Sequence, residues 1–136
     1  MRYENMVSAR AEEGIIRLLL LDDGIFPADM PLPAESFSAP LLGKVYALLW
    51  EQHVAGRPVT LAALASELSS EEMSHLTCVC QQPESAEHRQ RALADYIRII
   101  DSEHRKRGAA DTEDPLLAAM QKYRKKTTGT GGKYNG

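Results

Sequence analysis

The sequence predicts an all-α chain: a compact multi-helix bundle followed by a projecting C-terminal helical hairpin. Three observations carry that expectation. Apolar residues recur at helical spacing almost throughout, no alternating run of β-branched residues suggests a strand, and helix-capping signals separate one periodic stretch from the next. With 136 residues, 43% of them hydrophobic and 26% charged, the chain has the length and balance of one globular domain with a small appendage. A chain of this size buries enough surface to hold a core without metal or disulfide staples.

The elements follow in order. Ser8 is the expected N-cap of a first helix over 9–21, with Glu12 and Glu13 near its positive end and Gly24 as the stop. The apolar band Ile15, Ile16, Leu18, Leu19 and Leu20 is too broad for a surface stripe, which makes this helix central. Pro27, Pro31 and Pro33 then remove backbone donors and bias their predecessors away from helix, so 25–33 reads as a loop that packs its apolar side chains. Ser38 is the expected cap of a second long helix, with Pro40 tolerated in its first turn. Its buried face would be Leu41, Leu42, Val45, Tyr46, Leu48 and Leu49, with Trp50 late on it and Gly56 ending it.

Thr60 is expected to cap a short third helix carrying Leu61, Leu64 and Leu68. The Ser69-x-x-Glu72 capping box opens a fourth through Met73, Leu76 and Val79. Pro83 and Ser85 restart the chain into a long helix over about 86–107, striped by Leu93, Tyr96, Ile97 and Ile100. Beyond Ile100 the stripe gives way to charge, so this end is expected to project, with a bend at Gly108. Pro115 precedes a last amphipathic helix bearing Leu116, Leu117, Met120 and Tyr123, which runs into Arg124-Lys125-Lys126. The expected organisation is a bundle over 8–100, a hairpin over 101–126 and a disordered Gly/Thr tail over 127–136. Two short helices that bury only a few side chains are marginal alone and gain order from a partner.

Charge is distributed unevenly. Residues 1–104 carry 8 Lys and Arg against 16 Asp and Glu, whereas residues 105–136 carry 8 against 3. An acidic body followed by a basic end bears on partners, through attraction to an acidic protein patch or to nucleic acid. The longest apolar run is far short of the roughly 20 residues of a membrane span, and the N-terminus lacks the apolar segment of a signal peptide. Cys78 and Cys80 are too few for a secreted disulfide framework, so the expected compartment is the reducing cytoplasm.

Little in the sequence points to catalysis. Cys78 and Cys80, two apart on a helix, point roughly 200° from one another and do not chelate one ion. His75 and Cys78 share a face but have no further ligands nearby in sequence, so no metal and no cofactor are expected. His53, His88 and His104 are scattered, without a nucleophile in a recognisable elbow, and read as solvated surface residues. The carboxylate pairs Glu12-Glu13, Asp22-Asp23 and Glu71-Glu72 sit at helix ends, and adjacent carboxylates on a helix do not face one another. Gly129 to Lys133 has the wrong spacing for a phosphate loop and no strand before it. Arg105-Lys106-Arg107 with Lys122, Arg124, Lys125 and Lys126 could neutralise phosphates, yet aromatic residues for base stacking are nearly absent, so a solvated face or a protein docking site ranks ahead of nucleic acid.

Three segments taken together resemble a known family. They are Ala11-Glu12-Glu13-Gly14-Ile15-Ile16-Arg17-Leu18-Leu19-Leu20-Leu21-Asp22, Phe37-Ser38-Ala39-Pro40-Leu41, and Gly56-Arg57-Pro58-Val59-Thr60. In their succession they resemble the C-terminal helicase-binding domain of bacterial DnaG-type DNA primase. The pattern covers nearly the whole chain and rests on helix-and-cap motifs rather than catalytic residues. The resemblance implies a leucine-rich leading helix in a bundle, then a helical hairpin, and an adaptor that tethers primase to the hexameric DnaB-type helicase at the replication fork and modulates primer synthesis. It implies no chemistry in this chain, no small-molecule substrate and no membrane. It also implies that the hairpin over 101–126 is the main helicase contact. Within that region, periodicity and charge nominate Leu116, Leu117, Met120 and Tyr123 with Arg105, Arg107 and Arg124. Two other readings remain open: the self-associating N-terminal domain of a DnaB-type helicase, and a small helical DNA-binding module. The free polar tail is expected of the primase version.

Overall fold

The computed structural model of the chain describes residues 2–84 and 87–110. All regular structure there is helical, as four α-helices and three single-turn 3-10 segments. The α-helices are α1 (Met6–Leu21), α2 (Pro40–Val54), α3 (Ser70–Gln81) and α4 (Arg89–Ala110). The chain divides into two units, residues 1–103 and 104–136, and α4 runs unbroken past that division. No helix among the described residues is long and apolar enough to cross a membrane.

The first unit is built around α1, in which Ala9, Ile15, Ile16, Leu18 and Leu19 are completely buried. The broad apolar band makes this the central helix, because a helix buried nearly all round needs neighbours on more than one side. α1 packs against α2 and α3. α2 contributes Leu42, Val45, Tyr46 and Leu49, and the core is completed by Leu64, Leu76, Leu93 and Ile100. Each such Leu or Ile contributes roughly 1.5–3 kcal/mol by leaving water.

The proline-rich loop packs its side chains as expected. Phe26 and Leu32 are buried, Phe26 meets Trp50 edge-on at 6.0 Å, and the Tyr46 hydroxyl donates to the Leu32 carbonyl at 2.9 Å. Phe37 stacks on Tyr46 with ring centroids 4.6 Å apart. α2 ends in a Schellman motif: the Gly56 amide bonds to the His53 carbonyl and the Arg57 amide to the Gln52 carbonyl. Gly56 takes φ +74°, a conformation that glycine reaches without a Cβ penalty. The Ser69–Glu72 capping box is formed in both directions.

Several expectations are corrected. α1 starts at Met6, and its cap is Asn5, whose side chain accepts from the Ser8 amide at 3.0 Å. Ser8 lies inside the helix and is buried, its hydroxyl donating to Glu12 at 2.6 Å. Glu12 does not serve the dipole of its own helix. It is completely buried and accepts from the Ser38 amide (2.7 Å), the Ser38 hydroxyl (2.6 Å) and the Ala39 amide (3.1 Å). A carboxylate of α1 therefore caps α2 from outside, and Ser38, expected to be the cap, is instead one of its donors. The stretch around Leu61, Leu64 and Leu68 makes only a 3-10 turn over Ala62–Leu64. The Thr60 amide there is taken by the Gln52 side chain at 3.1 Å, and a segment this short gains little from helix propagation.

α4 begins at Arg89, three residues after the expected start, and Ala86 lies outside the described residues. Gly108 does not bend the chain, since α4 continues to Ala110. A glycine in an exposed helical turn costs about 1 kcal/mol, too little to stop a helix by itself. The last helix and the tail expected over 111–136 lie outside the described residues.

Candidate functional site

The sequence nominates Arg105, Arg107, Leu116, Leu117, Met120, Tyr123 and Arg124. Arg105 and Arg107 lie on the last turns of α4. Two residues apart on a helix, they point in divergent directions. Arg105 is exposed, and Arg107 is half-buried with Nη2 3.4 Å from His104 Nδ1. Leu116, Leu117, Met120, Tyr123 and Arg124 lie outside the described residues.

The side chains that the fold does bring together lie in the first unit, where α1 and α3 run side by side. Ahead of α1, Tyr3 reaches both helices. The Tyr3 hydroxyl donates to Glu13 Oε2 of α1 at 2.6 Å and also meets Nε2 of His75 on α3. A tyrosine hydroxyl has one proton, so with Glu13 as acceptor the His75 ring is the donor through Nε2. The Tyr3 and His75 rings meet edge to face at 5.5 Å. Burial first, then the hydrogen bond to Glu13 and the charges of Glu13 and Glu12, push the Tyr3 hydroxyl well above the ordinary tyrosine range. Such a hydroxyl stays protonated at neutral pH and serves as a hydrogen-bond donor to Glu13. Asn5 Nδ2 adds a bond to Glu103 of α4 at 3.0 Å.

A second cluster fixes the connection from α3 to α4. Arg17 Nε pairs with Glu84 Oε1 at 3.0 Å, with only 11% and 6% of the two side chains exposed. Arg17 also reaches the Val79 carbonyl at 3.3 Å, and the Tyr96 hydroxyl donates to the other Glu84 oxygen at 2.8 Å. The Tyr96 ring lies directly over Gly14, where a Cβ would come within 2.4 Å of it. Gly14 is therefore the space into which α4's tyrosine fits. Burial and Glu84 push the Tyr96 hydroxyl upward, with Arg17 opposing.

Two open grooves flank the Tyr3 cluster. One, of about 530 Å³, runs along α3 over Ser70, Glu71, Ser74, His75 and Cys78. The other, of about 700 Å³, lies between α1, the 82–83 connection and α4, and includes Val7, Arg10, Glu13, Arg17, Tyr96 and Ile99. Val7 and the adjacent Met6 are 59% and 48% exposed, an unusual state for large apolar residues in the first turn of a central helix.

Two histidines are engaged by neighbouring side chains, and one of them, His53, was expected to be solvated. His75 belongs to the Tyr3 cluster, leaving Cys78 exposed beside it. His53 Nδ1 lies 2.8 Å from Asp23, and its ring sits 4.8 Å from that of Trp50. Among the described residues no three His, Cys, Asp or Glu side chains are grouped to hold a metal ion. Tyr3 and Glu13 carry no sequence signal of this role, because Tyr3 lies outside any periodic stretch and its partner His75 is 72 positions away. No family model, curated protein or solved structure matches the chain.

Proposed function

We propose that the chain is the helicase-interaction domain of a bacterial DnaG-type primase, an adaptor that tethers primer synthesis to a hexameric replicative helicase. In this reading the chain does no chemistry, and its partner is a protein. The observation that supports it is how the segments of the resemblance are used in the fold. The first is α1, and its Glu12 closes directly onto Ser38 and Ala39 of the second. The third holds the Schellman glycine that ends α2. The first two segments are thus bonded to one another, and the third ends the helix that the second begins. The hairpin residues nominated for helicase contact remain part of this proposal.

Size-exclusion chromatography with light scattering tests it, using the full chain alone, with the cognate replicative helicase, and with single-stranded DNA at two salt concentrations. The expected result is a stable complex with the helicase. Self-association without a helicase complex supports the helicase N-terminal reading instead. DNA binding that falls steeply with salt supports the DNA-binding module. Met120→Asp with Tyr123→Asp is expected to weaken the helicase complex and leave bundle helicity intact.

A further inference from the structure

We infer that residues 2–5 form a strap that covers the seam between α1 and α3 and opens as a unit while the bundle stays folded. Within the strap the Tyr3 ring packs against the core, and the other hold is by side-chain hydrogen bonds. Tyr3 alone of these residues reaches both helices, through Glu13 and His75, while Asn5 caps α1 and bonds to Glu103. Arg2 and Glu4 are exposed, and Met6 and Val7, where the strap meets α1, are exposed as well. Each such hydrogen bond contributes modestly against water, so a segment secured this way belongs to the low-stability end of the fold. Beneath it, Ile15, Ile16, Leu18 and Leu19 are completely buried in one cluster with residues of α2, α3 and α4.

The position of Tyr3 gives the strap its consequence. Glu13 lines one groove and His75 the other, and the Tyr3 side chain stands between them. With the strap lifted, the grooves join into one trough across α1 and α3, and the apolar surface under the Tyr3 ring is uncovered next to Met6 and Val7. The cover is residues 2–5 of this chain, and the single proton of the Tyr3 hydroxyl, with the His75 N–H, locks it. This inference stands on the geometry of the first unit and is independent of the helicase reading.

Amide hydrogen exchange on the full chain tests it in wild type, Tyr3→Phe and Tyr3→Ala. The Ser8 and Ala9 amides bond to the Asn5 side chain and carbonyl, so they report closure of the strap. Tyr3→Phe keeps the ring and is expected to speed their exchange several-fold. Tyr3→Ala is expected to speed it by more than roughly tenfold. The Leu18 and Leu19 amides are expected to keep their wild-type rates, and anilinonaphthalene sulfonate fluorescence is expected to rise in Tyr3→Ala at unchanged helicity. Unprotected Ser8 and Ala9 amides in wild type, or unchanged rates in both variants, would overturn the inference. So would a parallel acceleration at Leu18 and Leu19, which would make the strap part of the global fold, or fast exchange without dye uptake, which would remove the trough.

Discussion

The junction of α1 with α2 and the junction of α1 with α3 use polar side chains in opposite ways. At the first, Glu12 is sealed in the core and all its partners are donors fixed by the backbone or by short serine side chains. At the second, Tyr3, Glu13 and His75 meet near the surface, flanked by open grooves. A buried carboxylate with complete partners fixes one geometry, because any departure leaves a charge unanswered in a medium that solvates it poorly. A half-exposed cluster has water as a competitor and can be released at small cost. The contrast teaches that one bundle can be rigid on one side of its central helix and adjustable on the other.

Removing the sealed carboxylate tests this contrast most severely. Glu12→Ala strands two backbone amides and two hydroxyl groups and leaves a cavity, with an expected loss of about 4 kcal/mol in urea unfolding. Glu12→Gln retains the volume and is expected to cost about half as much. A loss under about 1 kcal/mol for Glu12→Ala would erase the distinction between the two junctions.

Alkaline titration gives the next largest effect and also reads the rigid side. Burial pushes the Tyr46 hydroxyl up to about 12, against an ordinary 10.0. A folded value above the unfolded one means that the stabilisation is complete below pH 10 and disappears as pH climbs through 12. The expected loss across that window is on the order of 2 kcal/mol, with Tyr3 and Tyr96 adding in the same direction. Tyr46→Phe is expected to flatten the alkaline limb of stability against pH, measured by denaturant midpoints at each pH.

Gly14→Ala sharpens the comparison where α4 meets α1. The added Cβ displaces the Tyr96 ring and its bond to Glu84, with an expected cost of about 1–2 kcal/mol after the gain in helix propensity. In a Tyr96→Ala background the same change is expected to be neutral or stabilising, and calorimetry of the four variants measures the coupling. Ser69→Ala, at the exposed start of α3, is expected to cost only about 1 kcal/mol. A larger effect there would place α3 with the rigid side.

What the sequence made legible follows the same division. The apolar band of α1, the stacked loop around Phe26 and Leu32, the glycine that ends α2 and the capping box of α3 were readable, because each signal and its consequence lie within a few residues. Glu12 was not. A carboxylate in a first turn satisfies its own helix dipole equally well on paper, and only the arrival of Ser38, 26 positions later, makes it a core residue. The Leu61, Leu64 and Leu68 spacing suggested a helix that the Gln52 side chain and the next cap leave no room to build. Tyr3 and His75 illustrate the limit most plainly, since a pair so distant in sequence has no periodicity to reveal it.

The Glu12 clasp also bears on how such a chain can diverge. Ser8, Glu12 and Ser38 satisfy one another inside the core, so a change at any one leaves the others carrying an unanswered polar group. A lineage can retain all three or replace them together with apolar residues of matching volume, but it passes through single replacements only by way of a weakened intermediate. Change at the three positions is therefore expected to be coupled, with independent variation collecting in the strap and along the outer face of α3.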